Sequence, residues 1–152
     1  LLPGEGPLQA EYERLAAELN ISGHVRLMGY RTDMDMLLAA ADVAVSSSRR
    51  EGLGINLVEA MLTGLPVVAT RIRGHADIVQ HGETGFLVPP DDAPAMAEKL
   101  LKLYRSPELR HEMGQKAISA AQPYRLENAQ AETFRIYERA LDMKTNRAGG
   151  KP

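Results

Sequence analysis

Two glutamates and two glycines form the segment of this chain that is best suited to chemistry. Seven residues separate Glu51 from Glu59, and Gly52 and Gly54 lie just after the first glutamate. The pattern of residues 55–63 predicts a helix, so the glycine turn would precede a helix N-terminus, where free N–H groups bind phosphates. A carboxylate accepts hydrogen bonds from two neighbouring hydroxyls, as in sugars and ribose. The segment therefore predicts a site for a nucleotide-linked sugar.

A purely structural explanation of the same residues stays open. The glycines would then serve only turn geometry, and short Gly-x-Gly patterns are weak signals. As part of a site, Gly52 and Gly54 can adopt positive φ and let a ligand approach the backbone closely. Glu59 is surrounded in sequence by apolar residues, and a charge among apolar neighbours needs a partner or a function.

Composition narrows the class of protein. The chain has 152 residues, a net charge of −2, 44% hydrophobic and 25% charged residues, and zero cysteines. These values are ordinary for one soluble domain, and they argue against binding of nucleic acid through a basic surface. The absence of cysteine excludes disulfides and thiolate metal sites, which suits a cytoplasmic location. The run 36–41 ends at Asp42, so we expect no transmembrane helix.

Short apolar strands alternate with helices along the chain. The pattern predicts helices at 7–20, 34–41, 55–63, 75–80, 93–104, 107–121 and 126–143, and strands at 25–28, 42–46, 66–69 and 86–88. Such alternation indicates an α/β fold with a doubly wound parallel sheet, Rossmann-like, as one domain over residues 1–143. Ligands of such sheets bind beyond the carboxyl ends of the strands, which here precede the loops 29–32, 46–54 and 70–74. The polar residues 144–152 are expected to be a disordered tail.

Several segments in order resemble one family, glycosyltransferase family 4, the retaining "group 1" glycosyltransferases. The segment 51–70, EGLGINLVEAMLTGLPVVAT, carries the closest resemblance. The family's Gly-x-Gly-Pro turn resembles residues 4–7, its Val-x-Phe-Leu-Gly strand resembles residues 25–29, and its Asp-Gly-x-Thr-Gly hairpin resembles residues 81–85. The resemblance covers most of residues 1–140.

The resemblance implies the C-terminal, donor-binding half of a two-domain transferase of the GT-B architecture. In the family pattern Glu51 matches the glutamate that contacts the donor sugar and supports catalysis, and Glu59 matches the one that binds the ribose. The turn whose amides meet the diphosphate matches Gly52, Leu53, Gly54 and Ile55. The loop that contacts the base, largely through its backbone, matches Gly29, Tyr30 and Arg31.

The family also implies a reaction without a metal or another cofactor, since helix N–H groups and basic side chains carry the diphosphate charge. No Asp-x-Asp or clustered His/Asp set is present in the sequence, in agreement with that expectation. The nucleotide would be UDP or GDP.

Some family features are missing or changed. The basic Arg and Lys that grip the diphosphate, and the acceptor-binding N-terminal domain, would both precede Leu1, so we expect an N-terminally truncated chain. The family's Gly-Gly pair is Arg73-Gly74 here, its usual Glu is Asp77, and Asn56 replaces a commonly apolar residue.

Other polar residues are expected to have plain roles. The four histidines, His24, His75, His81 and His111, show no ligand spacing and are assigned to surfaces or turns. Arg49, Arg50 and Arg73 are expected to be solvated, with phosphate contact as the alternative. Residues 46–48, three serines, are expected to end a strand, with a hydroxyl toward the sugar as the alternative.

We therefore expect the parent protein to move a hexose-type sugar from a nucleotide-diphosphate donor to an acceptor, with retention, in polysaccharide or glycolipid synthesis. Peripheral association with the inner face of the membrane, through the missing domain, is part of this expectation. The alternatives are a catalytically inert nucleotide-sugar-binding fragment and a nucleotide-sugar epimerase of GT-B architecture. A glycoside hydrolase with Glu51 and Glu59 as acid and base is disfavoured, because the turn between them offers no sugar cleft.

Overall fold

The structure is a computed structural model that describes residues 1–149, without the side chains of residue 142 and of residues 144–149. The chain divides into two compact units, one from Leu1 to Ala40 and the other from Ala41 onward. The predicted single domain over residues 1–143 stays a prediction.

The first unit holds two helices and a few single β-bridges. Its helices are α1, Gln9–Glu18, and α2, Met34–Ala39. Residues 25–28 do not form the predicted strand, because pairing there is limited to isolated bridges between Leu2 and Leu27 and between Gly4 and Gly29. A β-ladder needs consecutive pairs of residues, so two single bridges of opposite direction do not make one.

The second unit alternates strands and helices as the sequence predicted. Its elements are β1 Ala44–Ser46, α3 Ile55–Leu62, β2 Val67–Thr70, α4 Arg73–Ala76, β3 Gly85–Val88, α5 Ala93–Arg105, α6 Pro107–Ala121, a 3₁₀ helix Gln122–Tyr124, and α7 Leu126–Gly149. The short helix α4 begins two residues before the predicted start, since Ile72 keeps an extended conformation and the chain turns directly after it.

The three strands form one parallel sheet in the order β1-β2-β3. Ala44 pairs with Val67, and Val67 pairs in turn with Gly85, so the three strands start at nearly the same level. Because all three run in the same direction, the loops that follow them leave from the same edge of the sheet.

Helices cover the sheet on both faces. One core cluster contains Val67, Ala69 and Leu87 from the strands, together with side chains of α3 and α6. The other contains Val68 and Phe86, together with side chains of α5 and α6. Successive side chains of a strand point to opposite faces, so β2 and β3 contribute to both clusters and are buried throughout. The predicted fold class, a doubly wound parallel α/β sheet, is confirmed.

Local sequence signals explain where α5 and α6 begin. The Asp92 side chain accepts a hydrogen bond from the Ala95 amide at 2.9 Å, and Ser106 accepts one from the Leu109 amide at 3.2 Å. Each helix also has a proline in its first turn, where no amide partner is lost. These two helices have almost the predicted bounds for that reason.

The last helix is longer than expected. The structure continues α7 to Gly149, beyond residue 143, where the sequence predicted the end of the helix. The disordered tail from residue 144 stays a prediction. Residues 150–152 lie outside the described residues. None of the helices within residues 1–149 combines the length and the apolar character needed to cross a bilayer.

The contact between α6 and the end of α3 depends on glycines. A Cβ atom built on Gly114 would lie 2.1 Å from the carbonyl oxygen of Gly64, and Gly64 itself has a φ of +85°. The backbone of α6 therefore lies directly against the turn that ends α3, and only a hydrogen side chain fits between them.

We predict that Gly114→Ala destabilises the chain by about 1–3 kcal/mol, despite the higher helix propensity of alanine, because backbone must move to remove the overlap. The midpoint of urea denaturation measures the effect. Gln115→Ala, at an exposed position of the same helix, is the matched control and should change the midpoint little. Equal stability of Gly114→Ala and wild type would contradict this packing.

Candidate functional site

Three loops leave the sheet from the same edge: residues 47–54 after β1, 71–72 after β2, and 89–92 after β3. Arg49 in the first loop donates a hydrogen bond from Nε to Oδ1 of Asp91 in the third, at 2.9 Å. Both side chains are exposed, so this ion pair contributes little stability. It does occupy Arg49, whereas Arg50 and Arg73 are exposed and make no ion pair within the described part of the chain.

Glu51 is half-buried, and a neighbouring hydroxyl holds its carboxylate. Ser48 donates a hydrogen bond from Oγ to Oε1 of Glu51 at 2.9 Å. The second oxygen, Oε2, has no partner among the described residues and can accept hydroxyl groups from a ligand. The family resemblance implied that Glu51 is the catalytic residue. In the structure its Oε1 is bound by Ser48, and its Oε2 is free to bind a ligand.

The two turn glycines do not use the positive φ that glycine can adopt. Gly54 has a φ of −74°, and Gly52 is likewise outside the left-handed region. Gly54 is closely packed, because a Cβ atom there would lie 3.2 Å from Cδ2 of His75 and 3.4 Å from Cδ1 of Ile78. At Gly52 a Cβ atom would meet no protein atom within 4 Å.

The start of α3 presents backbone N–H groups to solvent. Gly52, Leu53 and Asn56 are exposed, and their amides have no acceptor among residues 1–149. The Ile55 amide, by contrast, donates to the Leu53 carbonyl at 2.9 Å and is not free. Unpaired amides at a helix N-terminus can bind an anion. The amides without an acceptor thus differ from the predicted set at two positions. The Ile55 amide is hydrogen-bonded, and the Asn56 amide, which was not predicted, is free.

Glu59 lies on the exposed face of α3. Its apolar sequence neighbours Leu57, Val58, Ala60 and Met61 all point into the core, whereas Glu59 shares the solvent face with Ile55 and Asn56. Successive residues of a helix are rotated by about 100°, so the residues next to an exposed one in the sequence point away from its face. The expectation that Glu59 is surrounded by apolar groups is therefore wrong. Its carboxylate has no partner within the described residues.

The main residue that the sequence reasoning missed is His75, which was assigned to a surface or a turn but is fully buried. Its Nδ1 lies 2.9 Å from the carbonyl oxygen of Thr70, and its Nε2 lies 3.3 Å from Oγ of Ser46. Ser46 and Thr70 are also buried. A histidine three positions after the extended residue Ile72 gives no sequence signal of burial. His81 does have the expected turn role, since its Nδ1 accepts the Leu87 amide at 3.0 Å.

Helix α4 lies directly against the backbone of the candidate catalytic residue. A Cβ atom on Gly74 would lie 2.7 Å from the carbonyl oxygen of Glu51 and 3.0 Å from that of Gly52. The glycine at position 74 therefore allows the close approach of α4 to the 51–52 peptide.

The predicted base-contacting residues Gly29, Tyr30 and Arg31 belong to the first unit. Gly29 has a φ of +63°, and its carbonyl accepts the Gly4 amide at 2.8 Å. The Tyr30 amide donates to Glu5 Oε1 at 3.3 Å, and the Tyr30 side chain is 75% exposed. Gly29 and Gly4 form an antiparallel bridge, so the Gly29 amide faces Gly4. The Arg31 amide remains without a partner among the described residues, and it is a free backbone group of the kind that the prediction requires.

The Arg31 side chain is held by a neighbouring carboxylate. Its Nε and Nη2 donate to the two oxygens of Asp33 at 2.8 Å and 2.5 Å. These hydrogen bonds lower the pKa of the Asp33 carboxyl and raise the pKa of the Arg31 guanidinium. Contact of Arg31 with a base through its side chain would have to break this pair, so its backbone is the freer group.

No group of three or more histidine, aspartate or glutamate side chains within residues 1–149 is arranged to hold a metal ion. The metal-independent reaction remains a prediction. The predicted roles of the individual site residues also remain predictions.

Comparison with known proteins identifies the family. The family model described as "Glycosyl transferases group 1" matches residues 1–120. The chain therefore belongs to the group 1 glycosyltransferases, and the resemblance seen in the sequence is confirmed.

Curated relatives agree with this assignment. The chain is 39% identical over 142 residues to the putative glycosyltransferase EpsD of Bacillus subtilis, covering 93% of this chain and 37% of that protein. It is 33% identical over 138 residues to N-acetyl-alpha-D-glucosaminyl L-malate synthase of Bacillus anthracis, covering 90% of this chain and 36% of that protein. The chain thus spans little more than a third of the length of these relatives.

Solved structures show the same fold. TarM is similar over 89% of this chain and 28% of its own, with a TM-score of 0.81 and 29% identity. Anabaena Alr3699/HepE, solved in complex with UDP and glucose, is similar over 88% of this chain and 39% of its own, with a TM-score of 0.77 and 29% identity.

We predict that Gly74→Ala moves the Glu51–Gly52 peptide and lowers stability by about 1–3 kcal/mol, since both contacts are with backbone oxygens that cannot rotate away. Backbone amide chemical shifts of residues 48–54 report the displacement. Gly23→Ala, where the added Cβ meets nothing within 4 Å, is the control. Unchanged shifts at residues 51 and 52 would show that α4 does not set the position of this peptide.

Proposed function

We propose that this chain is the donor-binding part of a glycosyltransferase of GT-B architecture, in which Glu51 acts on the donor sugar. The enzyme would transfer a hexose-type sugar from UDP or GDP to an acceptor, with retention and without a metal, in polysaccharide or glycolipid synthesis. An acceptor-binding domain outside this chain would complete the cleft. The proposal places the reaction in the cytoplasm, at the inner face of the membrane.

One observation carries the proposal. At the start of α3, exposed and unpaired amides of Gly52, Leu53 and Asn56 follow directly after a carboxylate with one free oxygen. The amides provide partial positive charge for a diphosphate, and the carboxylate accepts hydroxyls of the sugar attached to it. One ligand with both groups, a nucleotide-diphosphate sugar, matches both features.

The family supports the class of reaction. In such a transfer the leaving diphosphate carries the developing negative charge, and preorganised N–H donors stabilise it without reorganisation. The oriented Glu51 carboxylate is suited to the developing positive charge at the sugar carbon. Glu59, exposed one to two turns further along α3, is available for the ribose diol.

The relatives support the choice of donor. Solved structures of Alr3699/HepE contain UDP, UDP with glucose, or UDP-glucose. The names of other relatives describe transfer of N-acetylglucosamine or kanosamine. We therefore place UDP before GDP as the nucleotide of this chain.

We predict that UDP binds the isolated chain weakly and that its contacts centre on residues 52–56. Titration of ¹⁵N-labelled chain with UDP and with GDP measures this through amide shift changes. Gly52→Val should abolish the changes, because the added side chain stands beside the amides that would meet the phosphates. An added Cβ atom at Gly52 meets no protein atom within 4 Å, and unchanged amide shifts in the rest of the chain would report that the fold is retained. Gly23→Val, where an added Cβ atom likewise meets nothing within 4 Å, should bind UDP like wild type. Normal UDP binding by Gly52→Val would contradict the proposed phosphate contact.

We predict that Glu51→Gln, made in the longer protein that the proposal requires, lowers kcat by about two orders of magnitude or more, because the neutral amide removes electrostatic stabilisation of the transition state. Transfer of sugar from the UDP donor is the measurement. Glu83→Gln, an exposed carboxylate in a turn outside the three edge loops, is the control. A near-wild-type rate for Glu51→Gln would refute the catalytic role, and epimerised donor in place of transfer would refute the reaction class.

A further inference from the structure

A chain of buried polar groups lies beneath the Glu51 loop. His75 and Thr70 are almost inaccessible to solvent, with 0% and 2% of their surfaces exposed, and Ser46 is 7% exposed. Buried polar groups are costly unless paired, and within the described residues no buried side-chain nitrogen or oxygen lacks a partner. The cluster is therefore a fully paired network, and it connects three elements: β1, β2 and α4.

The contacts of His75 define which of its nitrogens carries the proton. Nδ1 lies 2.9 Å from the carbonyl oxygen of Thr70, which can only accept, so Nδ1 is the donor. The neutral ring then has an unprotonated Nε2, which accepts from the Ser46 hydroxyl at 3.3 Å. The second neighbour of Nδ1, the Thr70 hydroxyl oxygen at 3.2 Å, can also accept, since its own hydrogen is donated to the Ser48 carbonyl.

The network reaches Glu51 through Ser48. The Ser48 carbonyl accepts a hydrogen bond from the Thr70 hydroxyl. Oγ of Ser48 also lies 3.4 Å from Oγ of Ser46, and this is a packing contact, because the single hydrogen of Ser46 is then donated to His75 and that of Ser48 to Glu51. Oγ of Ser48 donates its hydrogen to Glu51 Oε1 at 2.9 Å. Thus the Ser48 carbonyl contacts Thr70 and the Ser48 hydroxyl contacts Ser46, and both of these neighbours contact His75. Ser48 in turn holds the Glu51 carboxylate.

His75 also supports the glycine turn directly. A Cβ atom at Gly54 would lie 3.2 Å from Cδ2 of His75, so the imidazole ring packs against the buried side of the turn. One buried side chain therefore contacts both halves of the candidate site: the carboxylate through two serines, and the amide-presenting turn through packing.

We propose that His75 is a positioning residue that holds the Glu51 carboxylate in one orientation through Ser46 and Ser48. The inference rests on the proposed function for the role of Glu51 in transfer, but the orientation of the carboxylate can be measured without any activity. A side chain needed only for folding would act through its Nδ1 bond to Thr70, whereas a positioning residue acts through Nε2.

Two substitutions separate the two nitrogens. In His75→Asn the shorter amide can replace the Nδ1 donor to Thr70 but cannot reach Ser46. In His75→Gln the longer amide can reach Ser46 and gives up the bond to Thr70. His111→Asn, at an exposed position of α6, is the control for the chemical change itself.

The first measurement uses the chain alone. The ¹³C chemical shift and line width of the Glu51 side-chain carboxyl should change in His75→Asn and in Ser46→Ala, and should stay close to wild type in His75→Gln and His111→Asn. An unchanged Glu51 resonance in both His75→Asn and Ser46→Ala would overturn the proposal, whether or not the parent protein is a glycosyltransferase.

The second measurement uses transfer activity of the longer protein. His75→Asn should lower kcat by about 10- to 100-fold, the effect of small misplacement of a catalytic group, with the KM for the donor within about twofold of wild type. His75→Gln should retain kcat within about threefold of wild type.

Double substitution distinguishes positioning from a separate contribution to the rate. In the Glu51→Gln background, His75→Asn should cause no further loss, because residues that act through one group are not additive. Two results would show that His75 serves only the fold. One is the same factor of decrease in kcat for His75→Asn in the wild-type background and in the Glu51→Gln background. The other is an equal decrease in kcat for His75→Asn and His75→Gln that follows their denaturation midpoints. Absence of transfer by the wild type would refute the proposed function and leave the carboxyl measurement as the test of positioning.

Discussion

The burial of β2 on both faces is the constraint on which the second unit depends. Val67, Val68 and Ala69 are inaccessible to solvent, and they contribute alternately to the two helix-covered cores. With β2 fixed between two parallel neighbours, the ends of β1, β2 and β3 are held at one edge. The loop that carries Ser48 and Glu51, and the segment that leads to Gly74 in α4, each begin at a strand end that the core positions. The candidate site at this edge therefore depends on apolar strands that take no direct part in it.

Close backbone packing and buried hydrogen bonds connect the sheet to the loop that carries the candidate site. Gly74 lets α4 touch the 51–52 peptide, and Gly54 lets the turn rest on His75. The hydrogen bonds of Thr70 and Ser46 then link β2 and β1 to the same histidine. Preorganised amides and carboxylates stabilise charge more effectively than flexible ones, since they need not reorganise during the reaction. A rigid layer beneath an exposed turn is the arrangement expected for a site that binds a diphosphate and acts on the attached sugar.

The sequence predicted those features that depend on local chemistry. Capping residues and prolines at Asp92 and Ser106 mark the starts of α5 and α6, and continuous apolar runs mark β2 and β3. It also located Glu51 and the glycine turn, because a helix that follows a Gly-x-Gly segment exposes amides wherever the fold places it. Glu59 was found as a residue, but its surroundings were wrong, since sequence neighbours do not share a helix face.

Features that depend on distant contacts were missed. His75 is buried against Ser46, which lies 29 positions earlier, and no local pattern reports that distance. The close packing at Gly54 involves the side chains of His75 and Ile78, which follow it in the chain by more than 20 residues, so turn preferences could not report it. Residues 25–28 looked like a strand from their composition, but only tertiary pairing decides whether an apolar run joins a sheet.

A structure of the protein with a bound nucleotide-diphosphate sugar would show directly whether Glu51 and the start of α3 hold the donor. We expect phosphate oxygens about 2.7–3.2 Å from the amide nitrogens of Gly52, Leu53 or Asn56, and sugar hydroxyls at the free oxygen of Glu51. A diphosphate bound away from the start of α3, or a Glu51 carboxylate turned away from the sugar, would contradict this expectation.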